Sequence, residues 1–139
     1  MEKRKGLLCL LMVATSSLIF GQTKERVIDN YVEAFNARDI EKFIDLFDES
    51  ARIIGFPDLV REKSKHEIKE SHLPAFRSKE LTGEIFIVGK SEIGDLYVIE
   101  QSLKGFRTGP VDQYLIFKFK GNKIIEIQYL PKNFRWNKY

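Results

Sequence analysis

Two stripes of apolar side chains recur with the 3.6-residue period of an α-helix between residues 26 and 47. The first stripe consists of Val27, Ile28, Tyr31, Val32 and Phe35. The second consists of Ile40, Phe43, Ile44 and Phe47, and Asp39 precedes it as a favourable N-cap. We therefore predict two short amphipathic helices in a hairpin. The polar residues 48–50 predict a turn, and residues 51–56 predict a short strand that ends at Pro57.

A third helix is predicted by Ser64 and Glu67, which have the spacing of a capping box. This helix should run to about Arg77, with a kink or an early break at Pro74. Strand-like runs follow at 84–90, 95–104, 109–120 and 123–130, and Gly121-Asn122 predicts a tight hairpin turn between the last two. Helices followed by antiparallel strands indicate a single α+β domain with the helices on one face of the sheet.

The third of these strand runs carries apolar side chains on both of its faces. Tyr114 and Ile116 share one face, whereas Phe117 and Phe119 share the other. A β-bulge near Ile116 would reconcile the two sets, and we predict one there. We expect Ile125, Ile127 and Tyr129 of the last strand to share the concave face of the sheet.

Residues 1–21 are predicted to be a signal peptide. A short basic start precedes fifteen uncharged residues, Gly6–Phe20, and polar sequence begins after Gly21. A membrane anchor is the alternative, but a span needs roughly 20 apolar residues. We therefore expect cleavage near Gly21, an exported domain at 22–139 that is periplasmic or secreted, and no stable membrane insertion of that domain.

Removal of the signal peptide changes the charge and the chemistry available. Of the 23 basic and 20 acidic residues, the domain keeps 20 and 19, so a field suited to nucleic acid is not expected. Cys9 leaves with the signal, which excludes disulfides, a thiol nucleophile and cysteine metal ligands in the domain. His66 and His72 are six residues apart and do not share a helix face, so we predict neither a metal site nor a cofactor.

Three segments together resemble the nuclear transport factor 2-like superfamily, which includes SnoaL-like proteins and ketosteroid isomerases. The segments are YVEAFNARDIEKFIDLF, ARIIGFP and GPVDQYLIFKFKGNKIIEIQYL, and the resemblance covers nearly all of the predicted domain. It implies a cone-shaped roll: three N-terminal helices packed on a curved, mostly antiparallel sheet, with a pocket between the first helix and the concave face. It also implies a homodimer. The fold hosts enzymes, binding modules and transport adaptors, so it does not imply one activity.

Ketosteroid isomerases use an aspartate base and an oxyanion hole made by a tyrosine and a protonated aspartate. The resemblance places Tyr31 and Asp112 at the two oxyanion-hole positions, and it places Gly55 at the position of the base. A base within hydrogen-bond reach is required for this reaction, so we expect that the protein is not a ketosteroid isomerase. His72 is the replacement base that the sequence offers, because histidine titrates near neutral pH.

Each of these candidates has a structural alternative. Tyr31 is either a pocket donor or a core tyrosine, and Asp112 either faces inward with a raised pKa or lies at the surface. His72 is either a base or a structural side chain. The predicted pocket lining comprises Tyr31, Phe35, Ile53, Gly55, His72, Phe76, Ile99, Asp112, Tyr114 and Ile127.

Three functions are compatible with this pattern. The first is an exported binding domain for a small apolar or carbonyl-bearing ligand. The second is an acid–base isomerase, dehydratase or cyclase that uses Tyr31, Asp112 and His72. The third is an interaction module that dimerises through the outer face of its sheet.

Overall fold

The computed structural model describes residues 23–78 and 83–133, so the predicted signal segment lies outside the described residues. The helices are α1 (Lys24–Asn36), α2 (Ile40–Asp45) and α3 (Lys65–Arg77). The strands are β1 (Phe47–Gly55), β2 (Leu59–Glu62), β3 (Glu84–Ile93), β4 (Leu96–Lys104), β5 (Val111–Lys120) and β6 (Lys123–Pro131).

The strands form one six-stranded sheet in the order β2-β1-β6-β5-β4-β3. β1 and β6 are parallel, and every other neighbouring pair is antiparallel. The helices pack on one face, with α1 against α2 and β3, and α3 against β1 and β2. The predicted α+β roll, with three helices on a mostly antiparallel sheet, is confirmed. Its topology sets the carboxyl ends of β1 and β6 side by side, where Gly55 is paired with Tyr129.

The helix starts follow the capping signals in the sequence. The Asp39 carboxylate accepts a hydrogen bond from the Lys42 amide at 3.1 Å, and the Ser64 hydroxyl accepts one from the Glu67 amide at 3.2 Å. These bonds satisfy amide groups that have no partner inside their helix. α3 continues through Pro74 to Arg77, so the early break that Pro74 predicts is absent from this helix.

The predicted turn at residues 48–50 is wrong. β1 already begins at Phe47, and its pairing with β6 is interrupted between Phe47 and Arg52, so the polar residues form an irregular stretch within the strand. The Ser50 amide and hydroxyl both donate to the Asp48 carboxylate, which stabilises this stretch locally. The sequence analysis also missed the short strand β2.

The predicted bulge near Ile116 is wrong as well. β5 pairs with β4 in unbroken register from Val111 to Lys118. The irregularity lies instead between Lys118 and Phe119, opposite β6. With regular alternation, Leu115 and Phe117 face the helices and are fully buried, while Tyr114 and Ile116 point to the outer face.

An aromatic cluster fills the space between the helices and the sheet. The Phe43 ring lies between the rings of Tyr31 and Phe76, with centroids 5.2 and 5.1 Å away. Phe117 of the sheet meets Tyr31 edge to face at 5.3 Å. The space between the helices and the sheet is therefore packed with aromatic side chains.

Candidate functional site

A small cleft opens where the ends of β1, β2 and β6 meet α3. Its volume is about 210 Å³, and its lining is Ile53, Arg61, Glu62, Ser71, His72 and Tyr129. We call this the β1-end cleft. Ligand pockets for drug-sized molecules usually measure about 300–1,000 Å³, so this cleft fits a smaller molecule. Every polar side chain in it can donate or accept a hydrogen bond.

His72 enters the cleft from α3 in one defined protonation state. Its Nδ1 lies 2.8 Å from the Ile68 carbonyl oxygen, which can only accept, so Nδ1 carries the hydrogen. Burial lowers the pKa of His72, against the opposing effects of this hydrogen bond and the charge of Glu62. The ring is therefore neutral near pH 7, and Nε2 holds a lone pair that can accept a proton or a hydrogen bond.

Tyr129 connects the cleft to the core. Its hydroxyl lies 3.4 Å from the hydroxyl of Tyr31, and either group can donate. Tyr31 is only 2% exposed, and burial raises its pKa well above the ordinary value. Burial also raises the pKa of Tyr129. Both hydroxyls therefore stay protonated at neutral pH and act as hydrogen-bonding groups, with Tyr31 behind Tyr129.

Arg61 reaches the cleft because β2 is irregular at this residue. Ile53 pairs with Glu62 and Ile54 pairs with Val60, so Arg61 is the extra residue of a β-bulge. In a regular strand, consecutive side chains point to opposite faces. The bulge allows both Arg61 and Glu62 to line the same cleft, which is the usual way in which a bulge redirects a side chain.

The Arg61 side chain occupies the space that a side chain at position 55 would need. A Cβ atom on Gly55 would lie 2.7 Å from Arg61 Nε. Gly55 is the position at which the resemblance to ketosteroid isomerases expects a carboxylate base. The structure therefore sets a cationic guanidinium there, and Gly55 is required for that arrangement.

Glu62 contributes an unusual buried acceptor. Its Oε2 atom is buried and has no hydrogen-bond partner. Its charge acts on both His72 and Tyr129. Buried carboxylate oxygens normally have a partner, so this oxygen marks a place where a donor from outside the chain would be stabilising.

Two of the predicted site residues lie elsewhere. Asp112 is exposed and shares the outer face of the sheet with Tyr114, opposite to the face that packs on Tyr31. Of the two alternatives for Asp112, the surface position holds and its place in the predicted pocket lining is corrected, because the inward stripe of β5 is the one with Leu115 and Phe117. Tyr31 and Asp112 therefore cannot form an oxyanion hole together.

The remaining predicted lining residues divide between cleft and core. Ile53 and His72 line the β1-end cleft, and Gly55 lies under Arg61 at its edge. The others belong to the packed interior around it: Phe35, Phe76, Ile99 and Ile127. Arg61 and Glu62 were not predicted as site residues. Tyr129 was expected on the concave face with Ile127 but was not named as a site residue, and it packs against the core and lines the cleft.

A second, larger cleft of about 450 Å³ lies between α1, α2 and the β5–β6 turn. Four of its five charged groups form pairs, Lys42 with Asp39 at 3.4 Å and Lys123 with Asp45 at 3.6 Å, and Glu33 is the fifth. None of the candidate residues lies there, so the β1-end cleft is the stronger candidate site. Within residues 23–78 and 83–133, no three His, Cys, Asp or Glu side chains group as metal ligands, and no helix is long and apolar enough to cross a membrane.

No protein-family model and no curated protein matches the sequence. Solved structures do match the fold. An NTF2-like protein of unknown function from Cytophaga hutchinsonii superposes with a TM-score of 0.64 at 9% identity, covering 79% of this chain and 90% of that one. A SnoaL-like protein from Jannaschia sp. CCS1, provisionally named a polyketide cyclase, gives a TM-score of 0.66 at 13% identity and covers 78% and 85%.

A third structure carries a small ligand. It is a hypothetical protein with a ketosteroid isomerase-like fold from Catenulispora acidiphila, in complex with trimethylamine. It superposes with a TM-score of 0.64 at 15% identity and covers 77% of this chain and 85% of that one. Sequence identities in this range establish the fold alone, and the chain has the NTF2-like fold.

Proposed function

We propose that this protein is a small-molecule-binding domain whose site is the β1-end cleft. The observation that carries the proposal is the convergence of His72, Tyr129, Arg61 and Glu62, from three separate elements, on one cleft beside a buried core. The lining is polar except for Ile53, so the cleft suits a small polar molecule that forms several hydrogen bonds. The complex of a similar fold with trimethylamine supports ligand binding in folds of this type.

The binding proposal is tested by screening small fragments by NMR against the purified domain, residues 22–139. Bound fragments should shift the methyl resonances of Ile53 and the ring resonances of His72. Replacing Tyr129 by Phe removes one hydrogen-bonding group from the cleft and should weaken the bound fragments about three- to tenfold, from the usual worth of one hydrogen bond. Tyr114→Phe is the matched control, because Tyr114 lies on the outer face.

Two results would count against this site. Fragments that shift only resonances of the larger cleft, such as those of Asn30 and Leu46, would move the site to that cleft. A screen in which Tyr129→Phe and Tyr114→Phe weaken the same fragments equally would show that Tyr129 does not contact them.

An acid–base enzyme is the second candidate function. It is favoured by the defined tautomer of His72, whose Nε2 can take a proton, next to the Tyr129 hydroxyl, which can donate to a carbonyl oxygen. Asp112 has no role in this version. Enolisation of a carbonyl-bearing fragment, followed as exchange of its α-hydrogen in D₂O, would support it if His72→Gln abolishes the exchange. Binding without exchange leaves the binding domain as the function.

The proposal includes export and self-association. Export is supported by the basic start and the fifteen uncharged residues before Gly21, and mass spectrometry of the mature protein tests it by locating the amino terminus. Self-association is supported by apolar side chains on the outer face of the sheet, where Phe86 is 44% exposed and Ile116 is half-buried. A sedimentation experiment in which wild-type protein and Ile116→Glu are both monomers would reject the dimer.

A further inference from the structure

The β1-end cleft holds two opposite charges that do not pair with each other. Among the described residues, Arg61 forms no ion pair within 4.0 Å, although Glu62 follows it in the chain and lines the same cleft. The Glu62 Oε2 atom is buried without a partner. Oppositely charged side chains that can reach each other usually pair, because the attraction between them lowers the free energy. The Arg61 side chain is exposed, and its guanidinium lies against Gly55 without an ion pair to the Glu62 carboxylate.

The cleft offers both acceptors and donors. The acceptors are Glu62 Oε2 and the lone pair on His72 Nε2. The donor group is the guanidinium of the exposed Arg61, which lies against Gly55 and whose five planar donors suit a carboxylate. A ligand that matches both sets needs a cationic donor and an anionic acceptor a short distance apart.

We propose that the cleft binds a small zwitterion in which a carboxylate and an ammonium group are on one carbon atom, as in an α-amino acid. This inference rests on the proposed function and names the ligand class for the same site. The ligand carboxylate pairs with Arg61, and its ammonium donates to Glu62 and His72. A simple carboxylate leaves Glu62 without a donor and brings a second negative charge near it. A simple amine brings a positive charge near Arg61. Each partial ligand therefore meets a repulsive group.

Three probes of nearly equal shape separate these cases: L-valine, 3-methylbutanoate, which lacks the ammonium group, and isobutylamine, which lacks the carboxylate. Each is titrated into the purified domain, and binding is followed through the Ile53 methyl and His72 ring resonances. We expect L-valine to bind at least tenfold more tightly than either partial probe, because it makes both charged contacts. Equal affinity for L-valine and one of the partial probes would overturn the assignment.

Variants locate the two contacts. Arg61→Gln should lower the affinity for L-valine at least fivefold and raise that for isobutylamine, because the repelling guanidinium is gone. Glu62→Gln should lower the affinity for L-valine by a similar factor and raise that for 3-methylbutanoate, because the repelling carboxylate is gone. Arg107→Gln is the control, because it removes an exposed arginine that lies outside the cleft. An Arg61→Gln protein that binds L-valine like wild type would exclude the proposed carboxylate contact.

A glycine substitution gives a test that keeps both charged residues. In Gly55→Ala the new Cβ would lie 2.7 Å from Arg61 Nε, so the guanidinium must move, and L-valine affinity should fall at least threefold. Gly89→Ala is the matched control, because its Cβ would have no atom closer than 3.8 Å. Fragments that bind the cleft while L-valine does not would reject the zwitterion but keep the binding function. If no fragment shifts the cleft resonances, the binding function itself is rejected.

Discussion

Several side chains of the β1-end cleft have roles that the neighbouring residues in the sequence do not indicate. Arg61 and Glu62 occur in an unremarkable run of charged residues, yet a bulge brings both into one cleft. Gly55 lacks a side chain, and that absence gives the guanidinium its position. Local patterns record which residues are polar, but the contact between Gly55 and Arg61 depends on how two strands pair.

The protonation of His72 leads to a prediction about stability. The pKa of His72 is lower in the folded protein than the value of about 6.5 in an unfolded chain. Between these two pKa values the unfolded state binds the proton more readily than the folded state. Stability contributed by His72 is thus complete above about pH 6.5 and is lost as the pH falls through the folded-state pKa. We expect the free energy of unfolding, measured with urea between pH 7.5 and pH 5, to decline over this range.

His72→Asn isolates this contribution, because its side-chain amide can still donate to the Ile68 carbonyl while carrying no titrating group. The variant should show a flatter dependence of stability on pH below about 6.5 than wild type. His72 faces the Glu62 carboxylate and the rings of Phe43 and Phe76, and the Ser71 hydroxyl lies 3.1 Å from its Nδ1. Arg61 and Tyr129 line the same cleft. Identical pH profiles for the two proteins would mean that His72 titrates alike in the folded and unfolded states.

Capping and periodicity in the sequence located the three helices and five of the six described strands. Asp39 and Ser64 cap their helices as predicted, because an N-cap acts through contacts three residues away. The orientation of β5 was not predictable in the same way. Tyr114 and Ile116 form as good an apolar stripe as Leu115 and Phe117, and only packing against Tyr31 decides which stripe is buried.

The start of β1 shows the same limit. Residues 48–50 are polar and have turn-forming side chains, and nothing local indicates that they continue a strand. They lie between the two places where β1 pairs with β6, at Phe47 with Ile124 and at Arg52 with Glu126, some 75 residues later in the chain. Pairing of this range has no signal in a single sequence window.

Three strands are joined on the outer face by one buried carboxylate. The Glu126 side chain of β6 is 6% exposed and pairs with Arg52 of β1 at 2.6 Å and with Lys118 of β5 at 2.7 Å. Burial alone would raise the pKa of Glu126, but the hydrogen bonds from Lys118 and Arg52 outweigh it and lower that pKa. Glu126 thus contributes stability above its unfolded pKa of about 4.3 that is lost as the pH falls through the folded value.

Glu126→Gln should lower the free energy of unfolding at pH 7 by about 1–2 kcal/mol, because the two charge-assisted hydrogen bonds are weakened while the half-exposed Arg52 and Lys118 regain water. Glu92→Gln is the control. Its pair with Lys24 is exposed, so its removal should change stability by less than about 0.5 kcal/mol. Urea unfolding measures both values. Equal effects of the two substitutions would show that Glu126 contributes no more to stability than the exposed pair of Glu92 and Lys24.

At the scale of the whole molecule, the aromatic cluster decides where a ligand site can exist. The resemblance to enzymes of this fold suggested a deep pocket between α1 and the sheet, but the rings of Tyr31, Phe43, Phe76 and Phe117 fill that space. The polar groups therefore lie where the packing ends, at the β1-end cleft. The fold could be predicted from the order of its elements, whereas the filling of its interior depends on the rotamers of several large side chains at once.

Phe43 is the residue of the aromatic cluster that contacts both neighbouring helices and the sheet. Its ring contacts Tyr31 of α1, Phe47 of β1 and both His72 and Phe76 of α3, with centroids 5.1–5.3 Å away. Phe43→Ala should lower the free energy of unfolding by about 3–5 kcal/mol, since it removes a fully buried ring and leaves a cavity among rigid neighbours. Phe86→Ala is the control, because its 44% exposed ring on the outer face contributes little to the core.

Leucine variants at the same two positions, Phe43 and Phe86, relate stability to binding. Because His72 packs on Phe43 at 5.1 Å, a Phe43→Leu protein, which keeps most of the volume, should remain folded while the His72 ring loses its aromatic support. Affinity for a cleft-bound probe such as L-valine should then fall by a larger factor in Phe43→Leu than in Phe86→Leu, with urea unfolding measured in parallel to show that both are native. If the two leucine variants bind the probe equally, the aromatic cluster supports the fold but does not position the cleft.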